Sequence, residues 1–308
     1  MITTITLNPA VDKTYTTARF LPGQVNRMDS AKSIAGGKGI NVAKVLHQYG
    51  MDVRTMGFLG GYAGRFIEDY AESLGAECRF THVSGETRTS INILSQDGYV
   101  TEVLEPGPEI SEKELAQFHR DYEKELDNSE LIILSGSAPA NVKASIYKDL
   151  ITKAKDRGKK VFLDSSGEYL KEGAIAAPFM IKPNSRELEI LIGRKLRGIE
   201  DIIGAALTLG ERGIEHVMVS MGDKGLLYVA GKQILYAKAP KIKVVNTVGC
   251  GDCVVAAFAM GYLQKMSTEE MLRYCVALSA ANATTLESAV IPKEKAEELL
   301  SEVKIEQY

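Results

Sequence analysis

The chain has 308 residues, 45% of them hydrophobic and 25% charged, so it can bury a sizeable core and is neither a disordered chain nor a disulfide-stapled miniprotein. Thirty-seven Lys and Arg against 40 Asp and Glu leave a net charge of −3, which argues against a protein whose main task is to coat nucleic acid or an anionic membrane. Four cysteines fit a reduced compartment better than a disulfide framework.

Residues 1–7 alternate as a strand does and carry no cationic leader, so no signal or transit peptide is expected and the cytoplasm is the expected location. A helix is predicted over Ile40–Tyr49, closed by Gly50, and a strand over Val53–Leu59. Two stretches break this rhythm: Val11–Ile34, and Thr87–Leu104, which reads as a hairpin turning at Asp97-Gly98. They predict a small β lid, about residues 11–35 and 86–105, inserted into one α/β domain spanning 1–308. From Glu130 onward, short apolar runs alternate with amphipathic ones, the pattern of parallel strands joined by crossover helices. The predicted strands are Leu131–Leu134, Val161–Asp164, Phe179–Lys182 and His216–Ser220; helices are predicted over Asn141–Arg157 and Ser185–Leu191. The uncharged run Cys253–Gln264 is too short to span a membrane, and Ser267-Thr268-Glu269-Glu270 reads as a capping box opening another helix. The fold class expected is a three-layer α/β/α sandwich with a mostly parallel sheet.

Chemistry concentrates in glycine-flanked turns. In Gly249-Cys250-Gly251-Asp252, two glycines precede an apolar helix whose free N–H groups and positive dipole end favour an anion such as a phosphate. Asp252 is there either an N-cap or a catalytic base. No Walker A spacing occurs, and Val254 stands where a dinucleotide fingerprint needs its third glycine. Gly36-Gly37-Lys38-Gly39-Ile40-Asn41 again runs glycines into a helix start, either a tight turn with a solvated lysine or a ligand cradle. Asp12 follows the first strand, where α/β proteins place ligand-contacting side chains, although a lone Asp there is usually just a turn residue. Asn184 and Glu187 in Lys182-Pro183-Asn184-Ser185-Arg186-Glu187 satisfy a capping box, although a carboxylate there could also hold the water shell of a magnesium ion. Ser220-Met221-Gly222-Asp223-Lys224-Gly225 is a hairpin or a ligand turn.

Taken in order, these five motifs resemble the ribokinase-like carbohydrate kinases of the PfkB family over nearly the whole chain. Residues 6–12 and 36–43, Thr87-Arg88 and Ser135-Gly136-Ser137 look like the branch of 1-phosphofructokinases and tagatose-6-phosphate kinases. The resemblance implies an ATP- and Mg2+-dependent kinase forming a 1,6-bisphosphate from a phosphorylated ketohexose. Asp252 would take the proton of the attacking hydroxyl while the amides of Gly249, Cys250, Gly251 and Asp252 form an anion hole. Asp12, Gly37 and Asn41 would grip sugar hydroxyls, with Ser137 beside them. Lys182, Asn184, Glu187, Ser220, Gly222, Gly225, Gly251 and Asn282 would line the nucleotide side, with Glu187 toward the metal. Arg27, Lys38 and Arg88 offer the charge that a sugar phosphate needs and a neutral sugar does not. Partners expected are these small molecules alone, with a homodimer through the lid as the family's frequent habit. Alternatives are a fructose-6-phosphate kinase, a kinase of unphosphorylated sugars or nucleosides, and a nucleotide-binding regulatory protein without turnover.

The sequence departs from the family pattern at Cys250 and Cys253. Their Cys-Gly-Asp-Cys spacing is of the redox type, and a helix N-terminus would lower their thiol pKa; the plainer expectation is buried, reduced small side chains.

Overall fold

The computed structural model describes residues 1–308. In chain order the elements are β1 (Ile2–Thr6), β2 (Ala10–Thr17), β3 (Ser30–Gly36), α1 (Lys38–Gln48), β4 (Val53–Leu59), α2 (Gly61–Ser73), β5 (Glu77–Cys78), β6 (Thr81–His82), β7 (Arg88–Ser95), β8 (Val100–Leu104), α3 (Glu112–Leu126) and β9 (Leu131–Ser135). There follow α4 (Ile146–Asp156), β10 (Lys160–Asp164), α5 (Gly167–Ile175), β11 (Met180–Ile181), α6 (Ser185–Ile192), α7 (Ile199–Glu211), β12 (His216–Ser220), β13 (Gly225–Ala230), β14 (Gln233–Lys238), α8 (Cys250–Leu263), α9 (Thr268–Ala283), α10 (Lys293–Leu300) and β15 (Lys304–Gln307).

The main sheet runs β15-β14-β13-β12-β11-β10-β9-β1-β4-β5, with β6 also on β4. Pairing is parallel from β5 to β12 and antiparallel from β12 to β15. Alternation along each strand builds the two cores. Leu131, Ile133, Phe162 and Met218 face α1, α8, α9 and α10, whereas Ile132, Leu134, Val161 and Val217 face α3 to α7. An α/β/α sandwich results, as expected.

The two stretches that break the α/β rhythm form a separate four-stranded sheet, β3-β2-β7-β8, in which β2 pairs in parallel with β7. Its root is seated by a small cluster, Val11, Ala35, Ile40, Leu59, Ile67 and Phe80, shared with α1 and α2. The Asp97-Gly98 turn lies where predicted, with Gly98 at φ 92°.

Three helix boundaries differ from expectation. The helix predicted from Asn141 starts only at Ile146, because the Asn141 amide clasps the Ile110 backbone from both sides, accepting from its N–H at 3.1 Å and donating to its carbonyl at 2.8 Å. Helix α1 begins at Lys38, two residues early, and α8 at Cys250, three residues early. Those shifts bring Lys38 and Asp252 into helical first turns.

Candidate active site

The parallel strands β1, β9, β10, β11 and β12 all end at one edge of the sheet, where α1 and α8 begin, the usual ligand crevice of an open α/β sheet. Gly249 opens α8 with φ 84°, and a Cβ there would lie 3.0 Å from the Ala289 nitrogen, so the turn demands glycine. The Cys250 N–H is taken by the Thr247 carbonyl at 3.3 Å. Those of Gly249, Gly251 and Asp252 have no partner within the chain, so three of the four expected donors are free and Cys250 is not one of them.

Asp252 is not an N-cap. It sits inside the first turn with no capping bond, is 4% exposed, and its Oδ2 accepts from Asn41 Nδ2 at 2.8 Å. Burial pushes its carboxyl up to about 6; Lys38, Lys182 and the Asn41 bond pull it down, and Asp164 adds to the rise. Asn41 is 3% exposed and spends its oxygen on Lys44 Nζ at 3.1 Å, so both ends of its amide are engaged within the protein and not turned to the sugar side as expected. Gly37 precedes α1 with φ 110°, and a Cβ would fall 2.8 Å from Thr6 Cγ2.

Lys38 and Lys182 share the buried carboxylate of Asp164, whose Oδ1 lies 3.2 and 3.3 Å from the two ammonium groups. Burial raises the Asp164 carboxyl, but Lys182 and Lys38 outweigh it and hold it below the usual range. Burial likewise pulls Lys38 down, and Asp164, Asp252 and Glu187 together hold it above its ordinary value. Lys38 therefore belongs to the charge cluster at the strand ends, not to the lid. Lys182 lies against Gly251, where an added Cβ would stand 3.1 Å from its Nζ. Half-buried Ser137 follows β9 at the same edge.

On the lid, burial pushes Asp12 up to about 6 against the pull of Lys44 and Arg88, with Glu102 adding to the rise. Arg88 donates to the carbonyls of Asn8 at 3.2 Å and Glu105 at 3.3 Å, which leaves other guanidinium donors free. Arg27 is exposed in the β2–β3 connection, beyond the Thr16–Ser30 pair and at the opposite end of the lid from Asp12 and Gly36. The single chain does not bring Arg27 to the site.

Two clefts meet here. One, of about 850 Å³, is lined by Asn184, Ser220, Gly222, Gly225, Cys250 and Gly251, with Val244, Val276, Ala280 and Ala283 as its apolar walls. The other, of about 430 Å³, lies between the inner lid face, including Asp12, Asn92 and Glu102, and the segments 244–248 and 286–288. They share Val244 and Thr247. Asn184 caps α6 in a full capping box with Glu187 and bridges to Ser220, so the structural and lining readings both hold. Ser220–Gly225 is a hairpin through a 3-10 turn, and it too lines the larger cleft.

Asn282 is misplaced by the sequence reading. It is 1% exposed and committed to Val248, Cys250 and Ala289, so it fixes the Gly249 turn from behind and does not line the cleft. The thiols also differ from the redox expectation: burial raises Cys250 against the pull of its hydrogen bonds with Asn282 and Ser279, and raises Cys253 well above its ordinary value.

Asp164, Lys44 and the α9 wall escape the sequence reading. Asp164 is visible only as an acid ending a buried strand. The wall has a clearer signature, small residues Ser279, Ala280 and Ala283 at helical spacing with Val276.

A buried carboxylate, unpartnered backbone donors and paired cations at the start of α8 are the groups that phosphoryl transfer calls for. The chain matches the family described as pfkB family carbohydrate kinase over residues 2–295, and it belongs to that family. It is 34% identical to a 1-phosphofructokinase of Vibrio cholerae over 304 residues, covering 99% of this chain and 96% of that one. It is 36% identical to a tagatose-6-phosphate kinase of Staphylococcus epidermidis over 308 residues, covering 99% of each. Phosphofructokinase-2 from Escherichia coli, solved in complex with fructose-6-phosphate, superposes with a TM-score of 0.88 at 27% identity over 98% of each chain. No helix is long and apolar enough to cross a membrane.

Proposed function

We propose that this kinase transfers the terminal phosphoryl group of ATP to a free primary hydroxyl of a phosphorylated ketohexose, giving a 1,6-bisphosphate and ADP. The observation that carries the reading is Asp252: a carboxylate 4% exposed, set beside the free N–H groups of α8 and within reach of the charges of Lys38 and Lys182. ATP suits the larger cleft, its base against Val244, Val276 and Ala280, its phosphates toward Asn184, Ser220, Gly222, Gly225 and Gly251. The sugar suits the lid side, with Asp12, the Gly37 turn, Ser137 and Lys38 about its hydroxyls and Arg88 on its existing phosphate. Asp252 accepts the proton as the hydroxyl oxygen forms its bond to phosphorus and the bond to the ADP oxygen breaks. The free donors of α8, with Lys38 and Lys182, meet the charge on the group in transit.

Magnesium fits these residues. Asp164 Oδ2 is buried without a hydrogen-bond partner, and Glu187 spends only Oε2, on the Asn184 N–H. One or two carboxylates, with water and substrate phosphates, are the donors magnesium commonly takes. Bound there, magnesium would neutralise phosphate charge, with Asp164 and Glu187 holding its water shell.

Relatives named for fructose 1-phosphate and tagatose 6-phosphate chemistry support a phosphorylated substrate. The test is ADP release with fructose 1-phosphate, tagatose 6-phosphate, fructose 6-phosphate, fructose and ribose. Turnover of the first two is expected, and an unphosphorylated sugar matching the best phosphate in kcat/KM overturns the reading. A homodimer through the lid is part of the proposal, since edge strand β8 exposes Val100, Val103 and Leu104. Arg27 could act on sugar only across such a dimer. A monomer by sedimentation at assay concentration removes both.

A further inference from the structure

Three polar side chains line one face of α1, Asn41, Lys44 and Gln48, spaced to point the same way among apolar neighbours. Lys44 is 3% exposed, and buried ammonium groups require compensation. Its Nζ donates to Asn41 Oδ1 at 3.1 Å, and Asn41 Nδ2 donates to Asp252 Oδ2 at 2.8 Å, a chain from lysine to base. We propose that Lys44 is a positioning residue for the base: its ammonium locks the Asn41 amide with the NH2 group facing Asp252, whatever the protonation of Asp252. This rests on the kinase reading above.

The lock follows from donor and acceptor inventories. An ammonium only donates, so the amide oxygen must face it. An ionised Asp252 also demands the NH2 group, but a protonated one can donate, and an unrestrained amide would then turn its oxygen to accept. That turn would stabilise the protonated form of the base and raise its pKa. Lys44 forbids it, keeping Asn41 a donor that favours the carboxylate. Other groups facing Lys44 are Asp12 on β2, Cys253 on α8 and Glu287 after α9, with the Tyr70 ring of α2 at 5.9 Å. Glu287 is itself paired with Lys32 of β3, and the charges of Lys38 and Lys182 also act on Asp252. Burial outweighs these anions and brings the Lys44 ammonium down to about 8.

The experiment compares wild type, Lys44→Met and Lys44→Arg from pH 5 to 9.5, reading kcat, KM and kcat/KM. It also reads the Asp252 carboxyl by carbon NMR in the substrate-free protein, assigned by its loss in Asp252→Asn. Wild-type kcat/KM should fall below about 6 and above about 8, the values of the free enzyme's groups. Lys44→Met should lower kcat roughly ten- to a hundredfold, leave KM for ATP within about twofold, and move the acid limb and the Asp252 NMR titration up by about one unit. Lys44→Arg should keep the acid limb and abolish the basic one, since guanidinium stays charged. A Met variant with wild-type kcat and an unmoved Asp252 titration overturns the proposal, as does an Arg variant that retains the limb near 8. Should the Met variant not fold, the Arg variant decides alone. A wild type that turns over no sugar phosphate refutes the kinase reading, while the NMR titration still decides the lock.

Discussion

Asp252→Asn separates a buried base from a helix cap because the two predict opposite signs for stability. The carboxyl rises from its ordinary 3.8 to about 6 in the folded chain. A proton is therefore held more tightly in the native state, and the side chain costs nothing below its unfolded value. As pH climbs through 4 to 6 the native state loses stability relative to the unfolded one, until the full difference is felt above 6. Two units and a fraction at about 1.4 kcal/mol each come to about 3 kcal/mol at pH 7.5, and roughly half of that at pH 5. Asparagine keeps the shape and can still accept from Asn41 through its oxygen, but carries no charge to bury. With unfolding entropy near 2.1 cal/mol/K per residue, about 3 kcal/mol raises the midpoint of a 308-residue chain by about 4 to 5 °C. Calorimetry at pH 7.5 and pH 5 should show the larger gain at the higher pH. In a coupled assay for ADP, kcat should drop by roughly 10² to 10⁴-fold with KM for ATP nearly unchanged. A variant that is less stable than wild type at pH 7.5, or that keeps a third of wild-type kcat, refutes the assignment.

Arg88→Ala should raise KM for the sugar phosphate by the equivalent of about 1.5 to 3 kcal/mol and leave KM for ATP alone, read from initial rates; equal sugar phosphate binding would place that phosphate elsewhere. Asp164→Asn strands the ammonium groups of Lys38 and Lys182, and chemical denaturation should show a loss of about 3 kcal/mol or more at pH 7.5. Because the Asp164 carboxyl is held low, that contribution exists above the unfolded carboxylate value and fades as pH falls through the folded one, so the gap between variant and wild type should narrow in acid. Alkylation at pH 7.5 followed by mass spectrometry should label Cys250 more slowly than a free thiol and leave Cys253 and Cys275 untouched, since burial raises all three.

Much of the fold is legible because parallel strands buried on both faces are short unbroken apolar runs, as Leu131–Leu134 and Val161–Leu163 are. The lid is legible for the opposite reason: Thr89–Leu104 alternates about an Asp-Gly turn and cannot be read as helix. Boundaries failed where a side chain far along the sequence decides them, as Asn141 does by gripping Ile110. Turns marked by glycine are legible as turns: Gly37 and Gly249 each precede a helix at positive φ. Residues whose role depends on a partner are not legible: Asn41 and Asn282 are both asparagines near glycine turns, and nothing local says that each is wholly spent inside the protein.

The same partner dependence explains why the charges of the site are costly as a group and workable as a set. Asp164, 1% exposed, could not remain ionised alone, but two lysines make it the fixed anion around which they are oriented. Those lysines then act on Asp252, where they limit a rise that burial would otherwise carry further. In the proposed role of base, a carboxyl pushed up to about 6 is close enough to neutrality to hold a proton in transit, yet low enough to be ionised when substrate arrives. Each carboxylate obtains its chemical state from residues on other elements: Asp252 on α8 from Lys38 and Asn41 on α1, Asp164 on β10 from Lys182 after β11 and Lys38 on α1. Catalytic competence is thus a property of the convergence of strand ends and helix starts, and a substitution that moves α1 against α8 should alter the acid limb of the pH profile even when it touches no charged group.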